Sequence, residues 1–236
     1  MMLINVLVST TTLVGGRKTG DVSDMYPTYI TPAGYAFTIW SVIYILLAGF
    51  VIYQFSRSNE SRDSIQSIGT WFIVSCLLNI AWLLLWQYLY IEISVIAMVL
   101  LLLSLMVLYV RTRRISYPTI GEFWFVKLPF SLYLGWICVA TILNVSIALT
   151  KNEWGAFEIS DVTWSVIMLC VGSVLAILVS FPYRDSAFPL VFVWAYIAIA
   201  MEHREVDKVF LAACILAAIL FLYAIWLFFI RNRDRD

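Results

Sequence analysis

Charge is what this chain has least of. Acidic and basic residues make up only 13% of it and cancel to a formal net charge of zero. That balance gives no electrostatic case for nucleic acid or for a polybasic clamp on anionic lipid. There is a single histidine, His203, in the polar turn Glu202-His203-Arg204-Glu205. A histidine-ligated haem would have to use it, and a solvated turn residue is its expected role. Four cysteines, Cys76, Cys138, Cys170 and Cys214, each stand alone in a different apolar run. Without a Cys-x-x-Cys spacing or a nearby histidine they suggest neither a zinc site nor a disulfide framework, and they read as small buried hydrophobes. Heptads, low-complexity tracts and clear repeats are missing too. So is any paired acid and base, or activated nucleophile, at membrane depth, which leaves no catalytic constellation.

What is present is apolar length. The chain is 63% hydrophobic with a mean hydropathy of +0.92, well beyond a soluble domain. A hydrocarbon core roughly 30 Å thick needs about 20 apolar residues per helix, and helices satisfy their own backbone groups there. The runs Ala33–Gln54, Ile68–Tyr90, Ile91–Val110, Phe123–Leu149, Val162–Phe181, Phe188–Met201 and Val206–Ile230 meet that description, the sixth being short. Met1–Val14 covers only about 21 Å as a helix, so it reads as a partial helix or as one whose start is missing from the sequence. A cleaved signal peptide competes with that reading, but no basic residue precedes the apolar part and Val14-Gly15-Gly16 is a poor cleavage pattern.

Basic residues set the expected orientation. Arg57, Arg62, Arg111, Arg113, Arg114, Arg184, Arg231, Arg233 and Arg235 fall on one side, against Arg17, Lys18, Lys151, Arg204 and Lys208 on the other. The excess places the C-terminus in the cytoplasm, with the plasma (inner) membrane as the expected location. Lys127 lies within a helix, where snorkelling or pairing with Glu122 is the plain reading and a carboxylate ligand or coupling ion the sharper one. Thr31-Pro32 reads as an N-cap with proline in the first turn, so a helix is expected to start there. Pro129, inside Phe123–Leu149, is expected to kink its helix.

Tryptophan is abundant. Trp71, Trp124, Trp154, Trp164 and Trp226 sit near helix ends or in loops, as interfacial anchors do. Trp40, Trp82, Trp136 and Trp194 lie deeper, with Trp86 nearer its outer helix end, and their indole N–H groups need partners away from headgroups. Phe37, Trp40 and Tyr44 share one helix face, Asn79, Trp82 and Trp86 a second, and Trp136, Ala140 and Asn144 a third. At 1.5 Å per residue, Trp40, Trp82, Asn79, Asn144 and Trp136 all lie about 8 to 20 Å from the outer helix ends. Converging faces of this kind would line an outward-opening pocket for a flat, greasy ligand. The same residues are equally compatible with a filled bundle core, where asparagines bond between helices.

Pro32-Ala33-Gly34-Tyr35-Ala36-Phe37, Trp40-Ser41-Val42-Ile43-Tyr44 and Gly49 resemble the second helix of the translocator protein or tryptophan-rich sensory protein (TspO/MBR) family. Leu78-Asn79-Ile80-Ala81-Trp82 resembles its third helix, and Trp136, Ala140 and Leu143-Asn144 its fifth. The resemblance covers about residues 1–150. It implies an all-α, polytopic transmembrane bundle, a five-helix TspO-like core over residues 1–150 followed by three further helices over residues 151–236. It also implies that the first loop, Gly15–Thr31, covers an outer pocket for porphyrins, sterols or other hydrophobic ligands. Departures from the family pattern include Tyr35 in place of a tryptophan, Ser75 in place of a glutamine, and Val145 and Ala148 in place of an aromatic and a tryptophan. Porphyrin breakdown and cholesterol binding therefore do not carry over with the resemblance.

The expected function is binding of a hydrophobic, planar small molecule for sensing or transport, by Phe37, Trp40, Tyr44, Asn79, Trp82, Trp136, Ala140 and Asn144. No cofactor is required, and porphyrin or haem is a candidate ligand. A structural or assembly protein without ligand is the first alternative and a light-dependent porphyrin-modifying enzyme the second. Expected partners are the small molecule, membrane lipids and, as one option, a second copy of the chain in a homodimer.

Overall fold

The computed structural model describes residues 1–2, 4–5, 15–17, 19–26, 28–55, 63–115, 118–153 and 159–233. Most of Met1–Val14, the Arg57 and Arg62 segment and Trp154 lie outside the described residues. Those described contain no strand. A short helix α1 (Thr19–Asp24) and a 3-10 turn (Gly34–Thr38) lead into α2 (Ile39–Gln54), followed by α3 (Asp63–Gln87) and α4 (Ile91–Arg113). Next come α5 (Ile120–Lys151), α6 (Asp161–Ser180), α7 (Ala187–Glu202) and α8 (Asp207–Arg233). Six of these helices are long and apolar enough to cross a membrane, the second of them taken from Ile68 in α3 and the first including the 3-10 turn. The seventh, α7, has 16 residues, about 24 Å of helix. The chain is an all-helical, multi-pass integral membrane protein.

Two compact units make up the chain: residues Met1–Val22 with Thr38–Ile137, and Ser23–Phe37 with Cys138–Asp236. In the first unit α3 packs against α4. Their connection is short, with Leu89 in the left-handed region at φ 62° and the Tyr90 N–H returned to the Leu85 carbonyl at 2.9 Å. Polar residues inside α4 solve the problem of a solvent that offers no partner by bonding back to the preceding turn: Ser94 to Ile91, Ser104 to Leu101 and Thr112 to Tyr109. Glu92 in its first turn and Arg111 and Arg113 in its last complement the helix dipole. The Arg111 guanidinium lies 5.8 Å over the Trp71 ring, consistent with Trp71 at an interface.

Pro129 produces a local change of helix type. Residues Phe123–Lys127 form a π turn, in which the Leu128 N–H reaches the Phe123 carbonyl, so the ladder is rewound just before the residue that has no N–H to give. Gly49 of α2 permits the close approach of this turn, since a Cβ there would stand 2.7 Å from the Phe125 ring. Phe125 in turn stacks on Tyr53 at 5.9 Å. Deeper in the bundle, Phe50, Phe72 and Phe130 pack edge to face. The capping box formed by Thr119 and Glu122 starts α5. The Lys127 ammonium donates to the Ile115 carbonyl at 2.7 Å. One contact of this lysine is thus with the backbone ahead of α5, as in a snorkelling arrangement.

In the second unit, α6 presents a face of small residues, Ser165, Gly172, Ser173, Ala176 and Ser180, all buried with Leu169. The Tyr196 hydroxyl of α7 fills the space above Gly172, where a Cβ would lie 2.5 Å from it. It donates to the Leu169 carbonyl at 2.6 Å. Three expectations need correction here and in the segment before α2. The α-helix of α2 begins at Ile39, not at Ala33, because the preceding groups are engaged elsewhere: the Ala33 N–H bonds to the Ala198 carbonyl at 3.2 Å and the Ala36 carbonyl accepts the Trp194 indole at 3.0 Å. His203 is half-buried rather than solvated, its Nε2 bonded to the Thr31 carbonyl at 2.9 Å and its ring edge-on to Tyr29. Of the four free cysteines only Cys138 is buried, Cys76 is intermediate, and Cys170 and Cys214 are exposed on the apolar helix surface.

Candidate functional site

The first unit carries an aromatic cluster built from three helices. Trp40 of α2 stacks on Tyr44, one turn further along the same helix, with ring centroids 5.3 Å apart and planes at 15°. From α5, Tyr133 meets Trp40 edge-on at 5.9 Å and Trp136 does so at 6.4 Å. Tyr133 and Trp136 are three residues apart, so helical spacing turns both toward the same neighbour. Tyr133 and Trp136 are both essentially fully buried.

α3 contributes the polar part. Asn79 is completely buried and its Oδ1 accepts a hydrogen bond from Asn5 Nδ2 at 2.8 Å. Its own Nδ2 makes no well-formed hydrogen bond among the described residues, although the amide lies in reach of the Tyr133 hydroxyl, and the buried Tyr44 hydroxyl has no partner among them. Tyr133 directs its hydroxyl to the Met1 sulfur at 3.6 Å. The Tyr133 hydroxyl lies within reach of the Tyr44 hydroxyl, the Cys76 thiol and the Asn79 amide. Unpaired buried donors are rare in folded proteins, each costing about 1–3 kcal/mol. Two donors unpaired among the described residues, beside stacked rings, make a place where an oxygen or nitrogen acceptor would be stabilised.

Above this cluster α3 ends in a latch on the first loop. Trp86 Nε1 donates to the Thr19 carbonyl at 3.1 Å, and Gln87 Nε2 donates to the Arg17 carbonyl. Gly15 allows that approach: its φ is +70°, and a Cβ would stand 2.7 Å from both the Gln87 side chain and the Gln87 carbonyl. Trp82 is buried one turn below, its ring 6.1 Å from that of Trp86. In the second unit the following part of the loop is held by His203 and Trp194 through the carbonyls of Thr31 and Ala36, and Tyr35 lies edge-on to Trp194.

The expected site residues thus divide. Trp40, Tyr44, Asn79, Trp82 and Trp136 belong to the first unit, and the structure brings Trp40, Tyr44 and Trp136 into ring contact. Phe37, Ala140 and Asn144 belong to the second, where Asn144 is buried. Tyr133, Cys76 and Asn5 were not anticipated. Tyr133 and Cys76 could have been found, because each lies three residues before an expected member, Trp136 and Asn79. Asn5 could not, since its partner is 74 positions away. Among the described residues no group of three or more histidine, cysteine or acidic side chains could hold a metal ion.

The sequence matches the family model described as TSPO-like protein over residues 1–226. The chain belongs to the TSPO-like family. The match runs beyond Thr150 and takes in most of α8, so the TSPO-like assignment extends across the helices that follow the three quoted motifs. Neither a curated protein nor a solved structure shows a significant match. For this TSPO-like chain the cluster around Trp40 is therefore read from its own geometry.

Proposed function

We propose that this TSPO-like membrane protein binds an apolar, flat small molecule at the Trp40, Tyr44, Asn79, Tyr133 and Trp136 cluster, with Trp82 beside it, and works in sensing or transport. The observation that carries the reading is a pair of buried polar groups without a well-formed hydrogen bond among the described residues, Asn79 Nδ2 and the Tyr44 hydroxyl, set among aromatic rings 5.3–6.4 Å apart. Rings supply flat contact area and the polar groups supply orientation, the usual division of labour in a small-molecule site. The latched first loop stands where a cover over such a site would be fastened. The excess of arginine on one side supports a cytoplasmic C-terminus.

The test is a titration of purified protein with protoporphyrin, haem, a sterol and a retinoid while tryptophan fluorescence is followed, repeated with Asn79→Ala and Trp136→Ala. Saturable quenching by at least one compound in the parent, weakened in both variants, is the expected result. Equal, linear quenching in all three proteins would sink the reading and favour a bundle whose core is filled by its own side chains.

A further inference from the structure

The polar side of the Trp40 cluster is already occupied by the chain itself. Met1 and Asn5 belong to the same unit as Trp40, Tyr44, Asn79, Tyr133 and Trp136. They close one helical turn: the Asn5 N–H reaches the Met1 carbonyl at 3.1 Å, and the Asn5 side-chain amide donates to the same oxygen at 3.4 Å. From this turn a carboxamide and a thioether enter the cluster. Asn5 Nδ2 donates to Asn79 Oδ1 at 2.8 Å, and the Tyr133 hydroxyl donates to the Met1 sulfur at 3.6 Å. Asn5 is buried, and Asn79 and Tyr133 are completely so.

This occupant has the chemistry of the proposed ligand, a small polar tip beside a polarisable apolar body. It satisfies the cluster only in part. With the turn in place, Asn79 Nδ2 makes no well-formed hydrogen bond among the described residues and the Tyr44 hydroxyl has no partner among them. The Met1 thioether is a weak acceptor for the Tyr133 hydroxyl. A segment whose whole task was to fill the bundle core would pair these groups, because folded interiors leave few buried donors unmet. A molecule that carries acceptors in their place gains where the turn does not. The turn is also poorly fitted to stand alone, since one turn of helix has little stability once it leaves its packing. Its docking is therefore an equilibrium that a better occupant can shift.

We infer that residues 1–5 are a built-in competitor for the ligand position: docked, they cover the Asn79 and Tyr133 side of the cluster, and a ligand enters by displacing them. The inference rests on the proposed ligand site and concerns its regulation. The apparent affinity of the site is its intrinsic affinity reduced by the fraction of chains in which the turn is undocked.

Two measurements on the full chain test it, with protoporphyrin, haem, a sterol and a retinoid as probes. The first is the tryptophan-quenching titration, repeated with Asn5→Ala and with Asn5→Leu, which keeps the bulk and removes the donor. Each variant loses one hydrogen bond between membrane segments, so a probe that quenches the parent saturably should bind either of them about threefold tighter. A probe that binds the variants and not the parent supports the inference as well. The second is hydrogen exchange, read by mass spectrometry on the peptide that contains residues 1–5 of the unaltered chain. Saturating probe should accelerate exchange there, whereas a ligand that settles over a fixed core slows it. Binding that is unchanged or weaker in either folded variant, or exchange that bound probe leaves unaltered or slows, overturns the inference while the ligand site stands. Quenching that fails to saturate with every probe, in the parent and in both variants, removes the site and the inference together.

Discussion

Deleting one oxygen atom at each of two tyrosines should move the stability of this bundle in opposite directions. Tyr196 is 3% exposed, and its hydroxyl donates to the Leu169 carbonyl at 2.6 Å and sits 3.3 Å from the Ser173 hydroxyl. Phenylalanine there removes both contacts and opens an atom-sized gap over Gly172. A buried hydrogen bond contributes about 0.5–1.5 kcal/mol, and between membrane helices the mean is nearer 0.6. Tyr196→Phe should therefore cost about 1 kcal/mol. Tyr44 is similarly enclosed, at 8% exposed, but its hydroxyl has no partner among the described residues. Burying it unpaired costs about 1–3 kcal/mol, so in ligand-free protein Tyr44→Phe should stabilise by about 1 kcal/mol at the lower end of that range. The two variants should differ by about 2 kcal/mol, or about 4–8 °C in Tm for a chain of this size. Thermal melts of parent and both variants in one mild detergent, without ligand, read that gap. If Tyr44→Phe melts below the parent by as much as Tyr196→Phe does, the hydroxyl is already satisfied and the case for an open polar position beside Trp40 fails.

Other perturbations follow from the packing. Gly49→Ala places a methyl 2.7 Å from the Phe125 ring; because that ring can yield toward lipid, the loss should be about 1 kcal/mol. Combining it with Phe125→Ala should restore much of the lost Tm, and an unchanged Tm in the single variant would show that the π turn is not held against α2. Trp86→Phe keeps the ring and removes the donor to Thr19, so tryptic cleavage after Arg17 should accelerate with little change in Tm; an unchanged cleavage rate would mean that this bond does not hold the loop.

Hydropathy made the spans legible, since each apolar run of twenty or so residues can only cross the membrane as a helix. The helices outrun the apolar runs, as α3 does from Ile68 back to Asp63, because polar residues beyond the hydrocarbon still favour helix. Trp40 and Trp136 were legible as facing residues from spacing alone. What could not be read was every contact that ends on a backbone carbonyl. Trp194 has no side-chain complement to suggest Ala36, and nothing about Thr31 points to His203. Taking Thr31-Pro32 as a helix start failed for the same reason: local capping rules were outweighed by bonds from α7 that draw the segment into a 3-10 turn. Pro129 announced a disturbance but not its form. A proline is compatible with either a sharp bend or a rewound turn, and the close approach allowed by Gly49 accompanies the second.

The way the first loop is fastened has a bearing on how this protein can vary. Trp86, Gln87, Trp194 and His203 grip main-chain oxygens at Arg17, Thr19, Thr31 and Ala36, atoms that every amino acid supplies. Apart from Gly15, whose positive φ and closeness to Gln87 exclude a side chain, the loop can thus exchange its outward residues, and with them whatever it offers to passing molecules, without loosening its attachment. The four gripping side chains have no such freedom, and a library randomised at both sets should recover diversity in the loop and near-uniformity in its holders.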